Sequence, residues 1–121
     1  MKNHAFAQET MREIVGEKLS AVKFGVFGHL GLEFDGPSLV AHNPVSLKTA
    51  EHMFRVGQPG FCDALCDRLG QTISDVRITD EELKIMFADE SWFAMSLQEA
   101  DYSGPEAGMY CSADKQMTVF N

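Results

Sequence analysis

Two stretches decide the architecture. They are Gly16-Glu17-Lys18-Leu19-Ser20-Ala21-Val22-Lys23-Phe24 and Gly70-Gln71-Thr72-Ile73-Ser74-Asp75-Val76-Arg77-Ile78. Both read Gly-x-x-aliphatic-Ser-x-Val-basic-apolar, at an offset of 54 residues. The likeness continues with one residue slipped, Leu30-Gly31-Leu32-Glu33-Phe34-Asp35 against Leu83-Lys84-Ile85-Met86-Phe87-Ala88. Each copy then enters a further apolar segment, Ser38-Leu39-Val40-Ala41 or Ser91-Trp92-Phe93-Ala94-Met95. Self-similarity at a fixed period marks an internal repeat, here 5–57 and 60–100 within a single domain of residues 1–121.

Upstream of each glycine the apolar residues follow a helical period. Ala7, Met11, Ile14 and Val15 form one stripe, and Phe61 to Leu69 form the other. Gly16 and Gly70 end these helices, because glycine enters left-handed dihedrals without a Cβ clash. Downstream the pattern alternates with a period of two. Ser74, Val76 and Ile78 share a face, as do Leu83, Ile85 and Phe87, and Phe93, Met95 and Leu97. The matching inward set in the first copy is Val22, Phe24, Leu30, Leu32, Phe34 and Leu39. Asp35-Gly36-Pro37 and Tyr102-Ser103-Gly104-Pro105 break the chain as turns. Beyond them, 106–112 and 116–120 read as a C-terminal hairpin, with Ala107, Met109 and Cys111 on one side. Residues 46–57 fit either a strand or a helix capped by Ser46. The expected fold is therefore α+β. It is a mostly antiparallel sheet with two helices on one face, built from two helix-plus-three-strand repeats and a C-terminal hairpin.

The chain has 121 residues, 45% of them apolar and 23% charged, which suits an ordinary soluble globular protein. Its first nine residues hold no unbroken apolar run of the kind a secretory leader needs. Three cysteines, an odd number, then point to free thiols in the cytoplasm. Cys62 and Cys66, one helical turn apart, are expected in the core as small hydrophobes. The net charge of −8 is one-sided. Residues 1–61 carry six acidic and six basic side chains, and residues 62–121 carry twelve and four. Such a surface excludes nucleic acid and anionic membranes as partners. It favours solubility or the steering of a basic protein.

If the alternation holds, Met86, Trp92, Ala94 and Val40 lie on the sheet face away from the helices. That face is too apolar to stay wet, so these four residues are the expected interface of a homo-oligomer, a dimer being favoured.

The Gly70–Val76 and Leu83–Asp89 strands and the segment Tyr102-Ser103-Gly104-Pro105-Glu106-Ala107 resemble small bacterial α+β accessory proteins of the mobile gene pool, of the integron gene cassette or immunity-locus type. The resemblance spans roughly residues 14–110, in pattern more than in identity. It implies a compact, often oligomeric protein and transfers no chemistry, with Glu106 the one residue it touches.

The motifs of catalysis are missing. His4, His29, His42 and His52 make no H-x-x-x-H, H-E-x-x-H or H-x-H spacing, so no metal is expected. There is no G-x-S-x-G elbow. The glycine-spaced run from Gly25 to Gly31 lacks the following helix and lysine of a phosphate cradle, and reads as a flexible strand or bulge. His42, His52 and Glu106 remain the candidates for a ligand site. No cofactor is expected. The sequence is read as a non-enzymatic binding module that self-associates. The alternatives are an immunity-type protein for a basic toxin, and a small-molecule binder or enzyme with a cleft between the repeats.

Overall fold

A computed structural model describes residues 4–25 and 29–121. The first half runs α1 (Ala5–Met11), a 3-10 turn (Arg12–Ile14), β1 (Ala21–Phe24), β2 (Leu30–Glu33), β3 (Ser38–Ala41), β4 (Val45–Lys48) and β5 (Met53–Arg55). The second runs α2 (Phe61–Cys66), β6 (Ile73–Ile78), β7 (Glu82–Phe87), β8 (Trp92–Ser96), a 3-10 turn (Glu99–Asp101), β9 (Gly108–Cys111) and β10 (Met117–Phe120). The fold is α+β, dominated by antiparallel strands. Residues 26–28 of the glycine-spaced run lie outside the described residues.

The strands form two five-stranded sheets, ordered β1-β2-β3-β9-β10 and β6-β7-β8-β4-β5. Each sheet takes three strands from one half and a hairpin from the other. The registers match as well. Leu39 faces Tyr110 in the first sheet and Phe93 faces Leu47 in the second. Ser38 faces Cys111 in the first and Trp92 faces Lys48 in the second.

The halves meet at the glycine-led stretches themselves. Lys18 bridges Thr72, its own counterpart. Gly16 N–H donates to Ile73 C=O at 2.8 Å, and Gly70 N–H donates to Leu19 C=O at 2.9 Å. Ile73 N–H donates to Glu17 C=O at 2.8 Å, and Leu19 N–H donates to Gln71 C=O at 3.0 Å. This pattern is its own image under a two-fold rotation. Both glycines sit at positive φ, +92° and +86°, where a side chain would be strained.

Leu32, Leu39 and Tyr110 of the first sheet, Phe34 just beyond β2, and Leu47, Ile85, Phe87 and Phe93 of the second are buried in one core. Met11, Ile14, Phe61 and Leu65 bring the helical segments into that core. Each sheet is thus covered mainly by the other sheet. The expected single sheet under two helices is replaced by this arrangement, because the chain changes sheet after β3 and again after β8, the third strand of each half. The two crossings hold each other in place. Ala107 C=O accepts from His42 N–H at 2.8 Å and Asn43 N–H at 2.9 Å, and the buried Asn43 Nδ2 donates to Ser96 C=O at 2.8 Å.

Several local expectations change with it. Residues 46–57 contribute strands, not a helix. In β9 Met109 and Cys111 share the outer side, half-buried, and Tyr110 enters the core, while Ala107, expected beside Met109 and Cys111, is fully buried ahead of the strand. Phe24 is 50% exposed at the end of β1. A bulge between Ile73 and Asp75 breaks the alternation in β6. Cys62 and Cys66 are exposed, because the six-residue α2 buries Phe61 and Leu65, one position round the helix. Leu69 is exposed as well.

Candidate interaction surfaces

Strand alternation and register build the outer face of each sheet directly. On the second sheet one row reads Arg55, Ser46, Ala94, Lys84 and Arg77, and the next reads Met53, Lys48, Trp92, Met86 and Asp75. Met86, Trp92 and Ala94 therefore do lie together, with Met86 directly opposite Trp92. They are not bare. Lys84 Nζ lies 4.4 Å from the Trp92 ring centroid and 3.3 Å from Glu82, and Ala94 is only 4% exposed. Trp92 is half-buried, and a lysine over an indole at the protein surface is worth about 0.5–1 kcal/mol and covers its face. Arg77 Nε sits 3.0 Å from the Asp75 carboxylate, whose pKa this hydrogen bond draws below the ordinary range.

Val40 lies elsewhere. It is on β3 of the first sheet, at the position that matches Ala94 in the second. One outer row there reads Lys23, Gly31, Val40, Met109 and Val119, and the next reads Ala21, Glu33, Ser38, Cys111 and Met117. The charged pair, Lys23 and Glu33 at 3.2 Å, is confined to the β1–β2 end. From β3 to β10 the face is uncharged. Val119 is 41% and Met117 55% exposed. Sequence reasoning did not single out Met109, Met117 and Val119 as interface residues. The available signal was the run Gln116-Met117-Thr118-Val119-Phe120-Asn121, which has no charge in a chain of net charge −8.

The edges differ in the same sense. Along β6, Gln8 of α1 hydrogen-bonds the strand's outer backbone. Its Nε2 donates to Val76 C=O, and its Oε1 accepts Ile78 N–H at 2.8 Å. At β5, Gln58 Oε1 accepts Arg55 N–H at 3.0 Å. β6 is thus capped along its outer side by Gln8, and β5 is capped at its last residue by Gln58.

The candidate ligand residues divide. His42 and Glu106 come together with His29 around a cavity of about 270 Å³ closed by Ser103, Gly104 and Pro105. The two imidazoles meet edge to face, with centroids 4.3 Å apart. His52 is exposed in the β4–β5 turn against Phe54, with centroids 5.7 Å apart. Among the described residues no three His, Cys, Asp or Glu side chains are placed to hold a metal.

A groove of about 540 Å³ at one end of the second sheet is lined by Glu81, Glu82, Asp101 and Arg55. It is fixed by Leu97 N–H donating to Glu81 C=O at 2.8 Å and by Ser96 Oγ donating to Asp101.

Two side-chain networks, one buried and one partly exposed, hold the frame. The Tyr110 hydroxyl donates to Glu13, and burial together with that carboxylate pushes its pKa far above the ordinary value, so it stays a donor. Arg68 reaches Asp89 at 2.6 Å and Ser91 at 3.0 Å. Burial pushes the Asp89 carboxyl up, but the hydrogen bonds from Ser91 and the Arg68 charge outweigh it and its pKa is lowered.

Among the described residues no helix is long and apolar enough to cross a membrane. No family model, curated protein or solved structure matches the chain.

Proposed function

We propose that the protein is a non-enzymatic interaction module that self-associates through its first sheet. The observation that carries this reading is the contrast between the two outer faces. The face around Trp92 is dressed with Lys84, Glu82, Lys48, Arg77 and Asp75. The face running from Val40 through Met109 to Val119 has no such dressing. Contiguous exposed apolar surface on a small domain marks a contact surface, and an isologous pair is the commonest closed solution.

Sedimentation tests it. The wild type should be a dimer, Val119→Glu should be a folded monomer, and Trp92→Glu should remain a dimer. A monomeric wild type at high micromolar concentration sinks the proposal. A dimer broken by Trp92→Glu and not by Val119→Glu moves the contact to the second sheet.

A second reading rests on the groove lined by Glu81, Glu82 and Asp101 beside one base, Arg55; its excess of acid suits a basic protein such as a toxin held by an immunity protein. Exposed charges are screened over about 10 Å at 0.1 M salt, so such a complex should weaken steeply with ionic strength. Binding indifferent to salt and to Glu81→Gln with Glu82→Gln would count against it.

A further inference from the structure

We infer that two copies join edge to edge, β10 against the partner's β10, in one continuous ten-stranded sheet. This rests on the reading that the first sheet self-associates, and it names the mode of contact.

The direction of the backbone groups follows from the β9–β10 ladder. Ser112 N–H donates to Gln116 C=O at 2.9 Å, so Ser112 and Gln116 form a hydrogen-bonded pair. Such pairs alternate along antiparallel strands. Thr118 opposite Tyr110 and Phe120 opposite Gly108 are then hydrogen-bonded pairs too. The N–H and C=O of Met117 and Val119 therefore point away from β9. Among the described residues they have no partner.

The other three edges are blunted in ways that discourage a second strand. Gln8 and Gln58 hold backbone groups of β6 and β5. On β1, Val22 and Phe24 have outward backbone groups by the same alternation, since Gly25 N–H donates to His29 C=O. Between them stands Lys23, with a side chain 72% exposed. Only β10, among the described strands, lies on an edge with neither a cap nor a charge.

The free groups are also self-complementary. A two-fold axis at Thr118 sets Met117 opposite Val119 of the second copy, and Val119 opposite its Met117. Both outward N–H and both outward C=O groups of each copy are then satisfied, in four hydrogen bonds. The outer rows become continuous, Val40, Met109 and Val119 running on into the other copy's Met117 and Cys111. Nothing charged lies in the contact strand, so two acidic molecules approach where their repulsion is least. On the inner side a cavity of about 390 Å³ borders β10 along Thr118, Val119 and Phe120. Its wall includes Phe6, 70% exposed, which an added strand would cover.

Cross-linking tests the register. Thr118 would meet its own copy as a non-hydrogen-bonded pair, with Cα atoms about 4.5 Å apart, within disulfide reach. In a background of Cys62→Ser, Cys66→Ser and Cys111→Ser, Thr118→Cys should oxidise to a covalent dimer. Val119→Cys should not, because position 119 faces 117. Val119→Pro removes an N–H that β9 does not use. It should raise the dimer dissociation constant by about thirtyfold, for two lost hydrogen bonds of about 1 kcal/mol each, while circular dichroism stays that of the wild type. A dimeric wild type in which Thr118→Cys does not cross-link and Val119→Pro does not weaken association overturns edge pairing. It would leave self-association standing, with outer faces stacked instead. A monomeric wild type overturns both. A wild type that takes up an extended peptide in place of its second copy would assign the edge to a foreign strand and also overturn the proposal.

Discussion

On the second sheet, Gln8 and Gln58 occupy the backbone of the outer strands, and Lys84 lies over Trp92. On the first sheet, the matching positions leave β10 uncapped and Val40 without a charged neighbour in its own row until Lys23. The strand order and registers of the two sheets are the same. The difference is thus one of side-chain chemistry laid on a common backbone plan. Folding constrains the inward residues of both sheets alike, since Leu39, Tyr110, Leu47 and Phe93 share one core. The outward residues are free to diverge. The inward positions stay apolar in both sheets, Leu39 and Tyr110 against Phe93 and Leu47, and the contrast in charge lies in the outer layer, which is the contrast the proposed contact rests on.

The largest expected effect tests whether the backbone plan is common down to its tightest point. Gly108 stands opposite Ala41 where the first sheet receives its foreign hairpin, and Val45 stands opposite Met95 at the matching place in the second. A Cβ at Gly108 would lie 2.5 Å from the Val40 carbonyl oxygen and 2.8 Å from Met95 Sδ. The carbonyl belongs to the backbone and cannot swing aside. Gly108→Ala should therefore destabilise the fold by about 1–3 kcal/mol, the usual cost of overpacking. Denaturant unfolding of that variant beside wild type measures it. An unchanged midpoint would mean that β3 and β9 have slack and that the two sheets join their hairpins equally loosely.

How far the sequence carried can be seen residue by residue. The period-two pattern located β6, β7 and β8, and Gly16 and Gly70 fall where the helical segments give way to strands. These are local signals, fixed by dihedral preference and burial. Which strand lies beside which is not local. Nothing in Val45–Lys48 says that it will pair with β8 and not continue beside β3. Pooling Val40 with Trp92 and Ala94 assumed one sheet. Once the chain changes sheet, matching positions of the two halves fall on different faces, so Val40 and Ala94 part company. In β9 the alternation separated Met109 from Tyr110 without saying which enters the core. The structure gives that place to Tyr110, with Glu13 to hold its hydroxyl. The lysine over Trp92 belongs to the neighbouring strand, out of reach of any pattern read within β8. For the candidate ligand residues, no spacing rule joins His42 to Glu106, and only the crossing of 42–43 past 107 brings them to one cavity.

A smaller effect tests whether the second sheet's edge is closed by Gln8. Gln8→Ala removes two side-chain bonds to β6, to Val76 C=O and Ile78 N–H. Water can take over part of their work at a half-buried edge, so the loss should lie near the low end for two hydrogen bonds, about 1–2 kcal/mol. For a chain of this size each kcal/mol lowers the melting temperature by roughly 3–6 °C. The Ile78 amide should exchange with solvent faster, while amides in the central strand β7 should keep their protection. The same substitution leaves β6 with free outward groups beside Asp75 and Arg77. Those charges discourage strand addition even at an uncapped edge, so Gln8→Ala should lose stability without gaining a new oligomer. A variant that becomes larger than the wild type in solution would show that the glutamine alone had kept this edge closed. A variant with unchanged melting and unchanged Ile78 exchange would show that Gln8 closes nothing, and that the two sheets differ only in the charges on their outer faces.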